Sequence, residues 1–147
     1  MINKGLMSSK KQDWATPIKL YRTLDGEFNF DFDPCPLNYK TDGLTIRWYK
    51  SNFVNPPYGT EIGKWVKKSY EESLKGNDVV MLIPARTDTK YWHDFVMKAS
   101  EIRFIKGRLK FNDGKSPAPF PSCIVVFTAD NGISPYITSV DVEGKEI

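Results

Sequence analysis

The chain has 147 residues, 40% apolar and 27% charged, with a net charge of +3; that suffices for one core and permits a nucleic-acid partner without demanding one. Two cysteines far apart, Cys35 and Cys123, and a single histidine, His93, make neither a disulfide framework nor a metal-ligand spacing. No run approaches the roughly 18 apolar residues of a membrane span, and no apolar signal region is visible, so a reducing cytoplasm is the expected setting, with no membrane and no metal.

Residues 1–12 are polar and basic and read as a mobile arm, with a single domain expected over 13–147. Thr16-Pro17 reads as a helix start, with threonine as the cap and proline in the first helical position. That helix is expected to run through Leu20, Tyr21 and Leu24 and to stop near Gly26. Phe28, Phe30 and Phe32 alternate with polar residues, a strand pattern that Asp33-Pro34 ends. Residues 34–50 read as a loop, followed by a short strand, Asn52–Val54. A helix over about 60–74 has Ile62, Trp65, Val66 and Tyr70 at helical spacing. Asp78–Ile83 is a continuous apolar run suited to a buried central strand. Another helix is expected from Asp88, with Trp92, Phe95, Val96 and Ala99 on one face. Then come a strand at Glu101–Ile105, a second at Arg108–Phe111, a proline-rich loop over 112–121, and a last clear strand at Cys123–Phe127.

Strands alternating with helices imply an α/β fold with a mostly parallel sheet, and the final strands, joined without a helix, imply antiparallel terminal strands at its edge. Ligands of such sheets bind outside the carboxyl ends of the strands. Two marked sequences fall there, Asp33-Pro34-Cys35 and Asn55-Pro56-Pro57-Tyr58.

The second of these carries a specific chemistry. An aromatic amine is a poor nucleophile because its lone pair is delocalised into the ring. Two acceptors on its two N–H bonds draw the nitrogen toward a tetrahedral form and free the pair. Asn55 supplies a side-chain carbonyl oxygen and Pro56 a backbone carbonyl. Pro56 and Pro57 in succession stiffen the backbone and remove competing donors. Tyr58 offers a ring on which a base can stack. A methyl sulfonium is reactive enough that positioning does most of the work.

The sequence resembles the phage-type DNA N6-adenine methyltransferases, a compact family of the Rossmann-like methyltransferases, over about residues 13–128. The matching segments are Asp13-Trp14-Ala15-Thr16-Pro17, Asp33-Pro34-Cys35, Asp42-Gly43-Leu44 with Trp48, Asn55-Pro56-Pro57-Tyr58-Gly59 with Trp65, Ile83–Thr89, Gly107-Arg108-Leu109 with Phe111, and Pro121-Ser122. The resemblance implies S-adenosylmethionine as cofactor and adenine in DNA as target. It places Trp14, Thr16, Pro17, Asp33, Pro34, Cys35 and Asp42 on the cofactor side. Thr16-Pro17 corresponds to the segment beside the cofactor's methionine end, where a helix start offers free amides to a carboxylate. The first half is shortened: no Gly-rich loop follows Phe28–Asp33, and only 21 residues separate Asp33 from Asn55. The acidic residue for the cofactor ribose is either Asp33 or Asp42.

On the substrate side stand Arg86, Lys106, Arg108 and Lys110, within or near a stretch, 98–115, that has six Lys/Arg against two Asp/Glu. Lys98, Arg103 and Lys115 are expected with them in or beside the terminal strands, where the lysines meet phosphates and Arg86 or Arg108 sits near a nucleotide flipped out of its stack. His93 is expected to have a structural or surface role. Two alternatives remain: a methyltransferase acting on another amine or amide, such as an RNA base or a protein glutamine, and a catalytically silent DNA-binding relic of the fold. Recognition sequence and oligomeric state are not legible in the chain.

Overall fold

A computed structural model describes residues 14–36, 42–130 and 133–147; the expected basic arm and Asp13 lie outside them. The elements in chain order are helix α1 (Ile18–Phe28), strand β1 (Ser51–Val54), helix α2 (Ile62–Leu74), strand β2 (Asp78–Pro84), a short helix α3 (Lys90–Asp94), and strands β3 (Glu101–Ile105), β4 (Ser122–Phe127) and β5 (Tyr136–Val140).

The five strands form one sheet in the order β1-β2-β4-β3-β5. β1 runs parallel to β2 and β3 parallel to β5, while β4 is antiparallel to both β2 and β3. Four strands therefore point one way and β4 the other. The fold is the compact Rossmann-like α/β arrangement expected. The reversed strand is inside the sheet and not at its edge, and burial explains why. All of β4 is buried, as an interior strand requires, whereas most of β5 is exposed.

Alternation along the strands sorts the core onto two faces. Val54, Met81, Ile83, Cys123 and Val125 meet Ile62, Trp65 and Val66 of α2, with Trp92 and Val96 beyond. Phe53, Val80, Leu82, Ile124 and Val126 meet Leu20 and Leu24 of α1, with Leu109 and Phe111. Helices thus cover both faces of the sheet.

Three local expectations are corrected. Phe28–Asp33 is not a strand: α1 continues to Phe28, and Asn29 ends it in the left-handed region at φ 52°. The Asp25 carboxylate accepts the Phe30 N–H at 3.0 Å, the Asp31 N–H donates to the Ser51 carbonyl at 2.8 Å, and Phe32 forms an isolated bridge opposite Asn52. The helix expected from Asp88 breaks at Phe95 into α3 and a 3-10 turn over Val96–Lys98. Arg108–Phe111 forms no strand; a 3-10 turn over Phe111–Asp113 ends it, and β5 takes the place beside β3.

Candidate active site

Strand direction assembles the site. β1 and β2 end on the same edge and there deliver Asn55 and Arg86. β3 points the same way, so Lys106, Arg108 and Lys110 leave on that edge, and β4, being reversed, begins there at Ser122. The Phe32 bridge carries Asp33-Pro34-Cys35 out beside β1.

Asn55 is held by both of its amide hydrogens. Its Nδ2 donates to the Trp14 carbonyl at 2.7 Å and to Thr16 Oγ1 at 3.0 Å. A carbonyl can only accept, so the nitrogen must face Trp14 and the oxygen must face away. That oxygen, Oδ1, is buried and has no hydrogen-bond partner. An unpaired buried acceptor costs about 1–3 kcal/mol, a cost that a ligand donor would remove.

Thr16 therefore does not cap α1. Pro17 occupies the cap position without a side-chain bond, and its carbonyl accepts the Tyr21 N–H at 3.0 Å. The Ile18 N–H is taken by the Asp113 carboxylate, at 3.2 and 3.3 Å. The first amide of the helix, expected to be free for a carboxylate, already has one, from a residue 95 positions away. The physical cause is the loop after β3, which folds across the segment before α1; the Asn112 N–H also donates to the Ala15 carbonyl at 2.9 Å.

Tyr58 donates its hydroxyl to the Leu82 carbonyl at 3.2 Å. Burial pushes the phenol well above its usual range, so it stays neutral. Its ring lies within an aromatic group, with centroids 6.1 Å from Trp14, 6.2 Å from Phe111 and 5.6 Å from Phe120. The Arg86 guanidinium lies 5.8 Å from the Phe120 ring, which puts a cation at the rim of the aromatic wall.

The turn at Asp33 is fixed by its own side chain, whose Oδ1 accepts the Cys35 N–H at 2.8 Å. Pro34 and Cys35 are buried. Asp42 instead caps a 3-10 turn over Gly43–Thr45, accepting the Leu44 N–H at 2.9 Å. The two segments touch at Gly43, where a Cβ would stand 2.0 Å from the Pro34 carbonyl oxygen, so no side chain fits.

Lys106, Arg108, Lys110 and Lys115 are exposed, and Arg108 Nη1 also reaches the Ala118 carbonyl at 3.2 Å. Arg103 does not join them. It points into the structure, pairing with Glu27 at 2.6 Å and Glu101 at 2.9 Å, because the end of α1 packs over β3. Lys98 lies 5.5 Å from the Tyr70 ring of α2, away from this edge. His93, exposed, donates from Nε2 to the Thr87 carbonyl at 2.8 Å. Cys35 and Cys123 are both buried and form no disulfide, and burial pushes the Cys123 thiol up.

Sequence reasoning gave no role to Asp113, Phe120 or Ser122. Phe111 and Ser122 fall within the matching segments, but what they do depends on the loop folding back over α1. Among the described residues no helix is long and apolar enough to cross a membrane, and no group of three His, Cys, Asp or Glu side chains gathers in one place.

A mixed sheet with its one reversed strand inside is consistent with a compact Rossmann-like methyltransferase fold. The DNA N-6-adenine-methyltransferase (Dam) family model matches residues 4–129, and the chain belongs to that family. Relatives named DNA N-6-adenine-methyltransferase come from two phages. That of Haemophilus phage HP1 is 28% identical over 118 residues, covering 71% of this chain and 68% of the relative. That of Escherichia phage T1 is 28% identical over 109 residues, covering 65% of this chain and 45% of the relative. The chain thus spans under half the length of the second relative.

Proposed function

We propose that the protein transfers a methyl group from S-adenosylmethionine to N6 of adenine in DNA, with the target base flipped out of its stack. The supporting observation is Asn55: both of its N–H groups are engaged and its buried oxygen is unpartnered. A side chain so held is an acceptor waiting for a donor. The exocyclic amine of adenine supplies two N–H bonds, one for Asn55 Oδ1 and one for the Pro56 carbonyl. An adenine within a duplex cannot reach a buried atom, so the base must leave the stack. Tyr58 and the neighbouring aromatic rings offer it stacking partners.

S-adenosylmethionine fits the neighbouring strand end. The half-buried Asp33 carboxylate and the Pro34-Cys35 turn leave the sheet beside β1, the Trp14–Pro17 segment holds the Asn55 amide, and these residues are proposed to hold the cofactor. When bound, it supplies an electrophilic methyl on sulfur. That methyl would pass to N6 with the sulfur leaving as a neutral thioether, and the N6 proton would go to water. Asn55 and Pro56 hold the amine pyramidal and aimed. Tyr58, neutral and bonded to Leu82, is no base. Arg86, Lys106, Arg108 and Lys110 are proposed to meet the DNA backbone around the flipped nucleotide.

Incubation with tritiated S-adenosylmethionine and unmethylated genomic DNA, followed by nucleoside mass spectrometry, tests this reading. N6-methyladenine is the expected product. Label in RNA or in protein glutamine but not in DNA, or no transfer at all, would overturn it.

A further inference from the structure

Besides Asn55 Oδ1, two buried side-chain polar atoms among the described residues lack a hydrogen-bond partner, Tyr91 Oη and Ser122 Oγ. Tyr91 is on the other face of the sheet, packed against Gly63 of α2, and the Thr89 hydroxyl bears on its phenol. Ser122 is different. It is 2% exposed, and it opens β4 at the edge where β1 and β2 end.

Alternation settles which way it faces. Ile124 and Val126, two and four residues on, pack on the α1 face with Phe53 and Leu82, so Ser122 is on that face too. Asn55, two residues after Phe53, is on the same face, as its bonds to Trp14 and Thr16 require. One strand lies between them. Pro84 of β2 is paired with Ser122, and Leu82 of β2 holds the Tyr58 hydroxyl. Asn55 stands level with Leu82 and Ser122 level with Pro84, so two strand spacings of about 4.8 Å and two residues of stagger at about 3.3 Å put the two backbones roughly 12 Å apart. That span suits a purine with a hydrogen bond at either side. Phe120, two residues before Ser122, belongs to the aromatic wall that includes Trp14 and Tyr58.

We propose that Ser122 is a second polar anchor for the target base: its hydroxyl donates to a ring nitrogen of the adenine whose amine is at Asn55. The inference rests on the reading that adenine is the substrate. Asn55 and Pro56 can fix only the amine, about which the ring remains free to swing. A donor two strands away from Asn55 sets the ring's rotation, and with it the direction of the N6 lone pair. Ring nitrogens of adenine are acceptors and a serine hydroxyl is a donor, so the chemistry is complementary.

The test combines Ser122→Ala with DNA in which the target adenine is replaced by its 1-deaza, 3-deaza or 7-deaza analogue. Ser122→Ala is expected to lower kcat/KM for DNA about 5- to 10-fold, the usual worth of one neutral hydrogen bond, and to leave the melting temperature and the calorimetric affinity for S-adenosylmethionine near wild type. One analogue is expected to cost the wild type a similar factor and to cost the variant nothing further. That non-additivity identifies the contacted nitrogen, and a merely structural serine would not produce it. Additive losses with all three analogues would overturn the proposal, as would weakened cofactor affinity with an unchanged KM for DNA. A wild-type protein that methylates no adenine in DNA would instead overturn the underlying reading, a different outcome visible before any variant is made.

Discussion

At the residue scale the site depends on the orientation of one amide. Asn55→Ala removes the acceptor while leaving Asp33 and its turn in place. Losing a preorganised polar contact at a reacting centre costs about 100- to 1000-fold in rate, so turnover should fall by that factor while calorimetric cofactor affinity stays close to wild type. A variant keeping more than roughly a third of the activity would remove Asn55 from the mechanism. Tyr58 separates ring from hydroxyl. Its hydroxyl bond to Leu82 is neutral, worth about 0.5–1.5 kcal/mol, so Tyr58→Phe should cost less than about tenfold. Tyr58→Ala also removes the stacking surface, worth about 1–3 kcal/mol per base, and opens the aromatic wall. Equal kcat/KM for the two variants would show that the hydroxyl matters and the ring does not. Asp33→Ala should weaken S-adenosylmethionine binding more than DNA binding. Titration calorimetry of the folded variant with cofactor alone checks this, and unchanged affinity would shift the ribose contact to Asp42.

At the element scale, α1 is tied to the sheet at its far end by Arg103. The Arg103 guanidinium holds the Glu27 carboxyl below the usual carboxylate range, through its hydrogen bond first and its charge second, against some burial. A carboxyl whose folded pKa is depressed stabilises the fold above its unfolded pKa, and the contribution is lost as pH falls through the folded value. Acid should therefore loosen this tie from about pH 4.5 downward, the ordinary glutamate value. Glu27→Gln should lower the melting temperature at pH 7 and flatten its decline over that acid range. If wild type and variant decline in parallel, the pair contributes nothing measurable. The other end of α1 is tied by Asp113, and Asn112 and Asp113 adopt left-handed backbone at φ 62° and 52° to reach it. Those two strained residues hold the loop that brings Phe111 and Phe120 to Tyr58.

At the scale of the whole molecule, the net charge of +3 understates the basic character of the sheet edge that carries Asn55, where Arg86, Lys106, Arg108 and Lys110 are exposed. Each phosphate contact adds about 0.9 to the slope of log affinity against log salt on duplex DNA. The triple substitution of Lys106, Arg108 and Lys110 to Ala should lower that slope by about two to three units, while Arg103, engaged with two glutamates, should not affect it through DNA contact. A wild-type slope in the triple variant would show that this edge does not meet DNA.

The sequence by itself determined the α/β class, the buried run of β2, the amphipathic α2 and the position of Asn55 at a strand end, because each rests on local periodicity or on adjacent residues. It misplaced what depends on distant partners. The alternating Phe28, Phe30 and Phe32 look like a strand from neighbours alone, yet Leu20 and Leu24 extend one apolar helix face that carries α1 through Phe28, and Asn29 then turns the chain. Thr16 looks like a cap until a loop from the other half of the chain brings Asp113 to the helix start and frees Thr16 to hold Asn55. Arg103 looks like one more DNA-facing cation until α1 lays Glu27 across it. β4 became the reversed interior strand and β5 the edge because burial across the whole sheet decides which strand can be wet. Tertiary structure alone fixed the orientation of the Asn55 amide, since its two acceptors, Trp14 and Thr16, come from a segment about forty residues away, and only three-dimensional packing can bring a backbone carbonyl from there to a side chain.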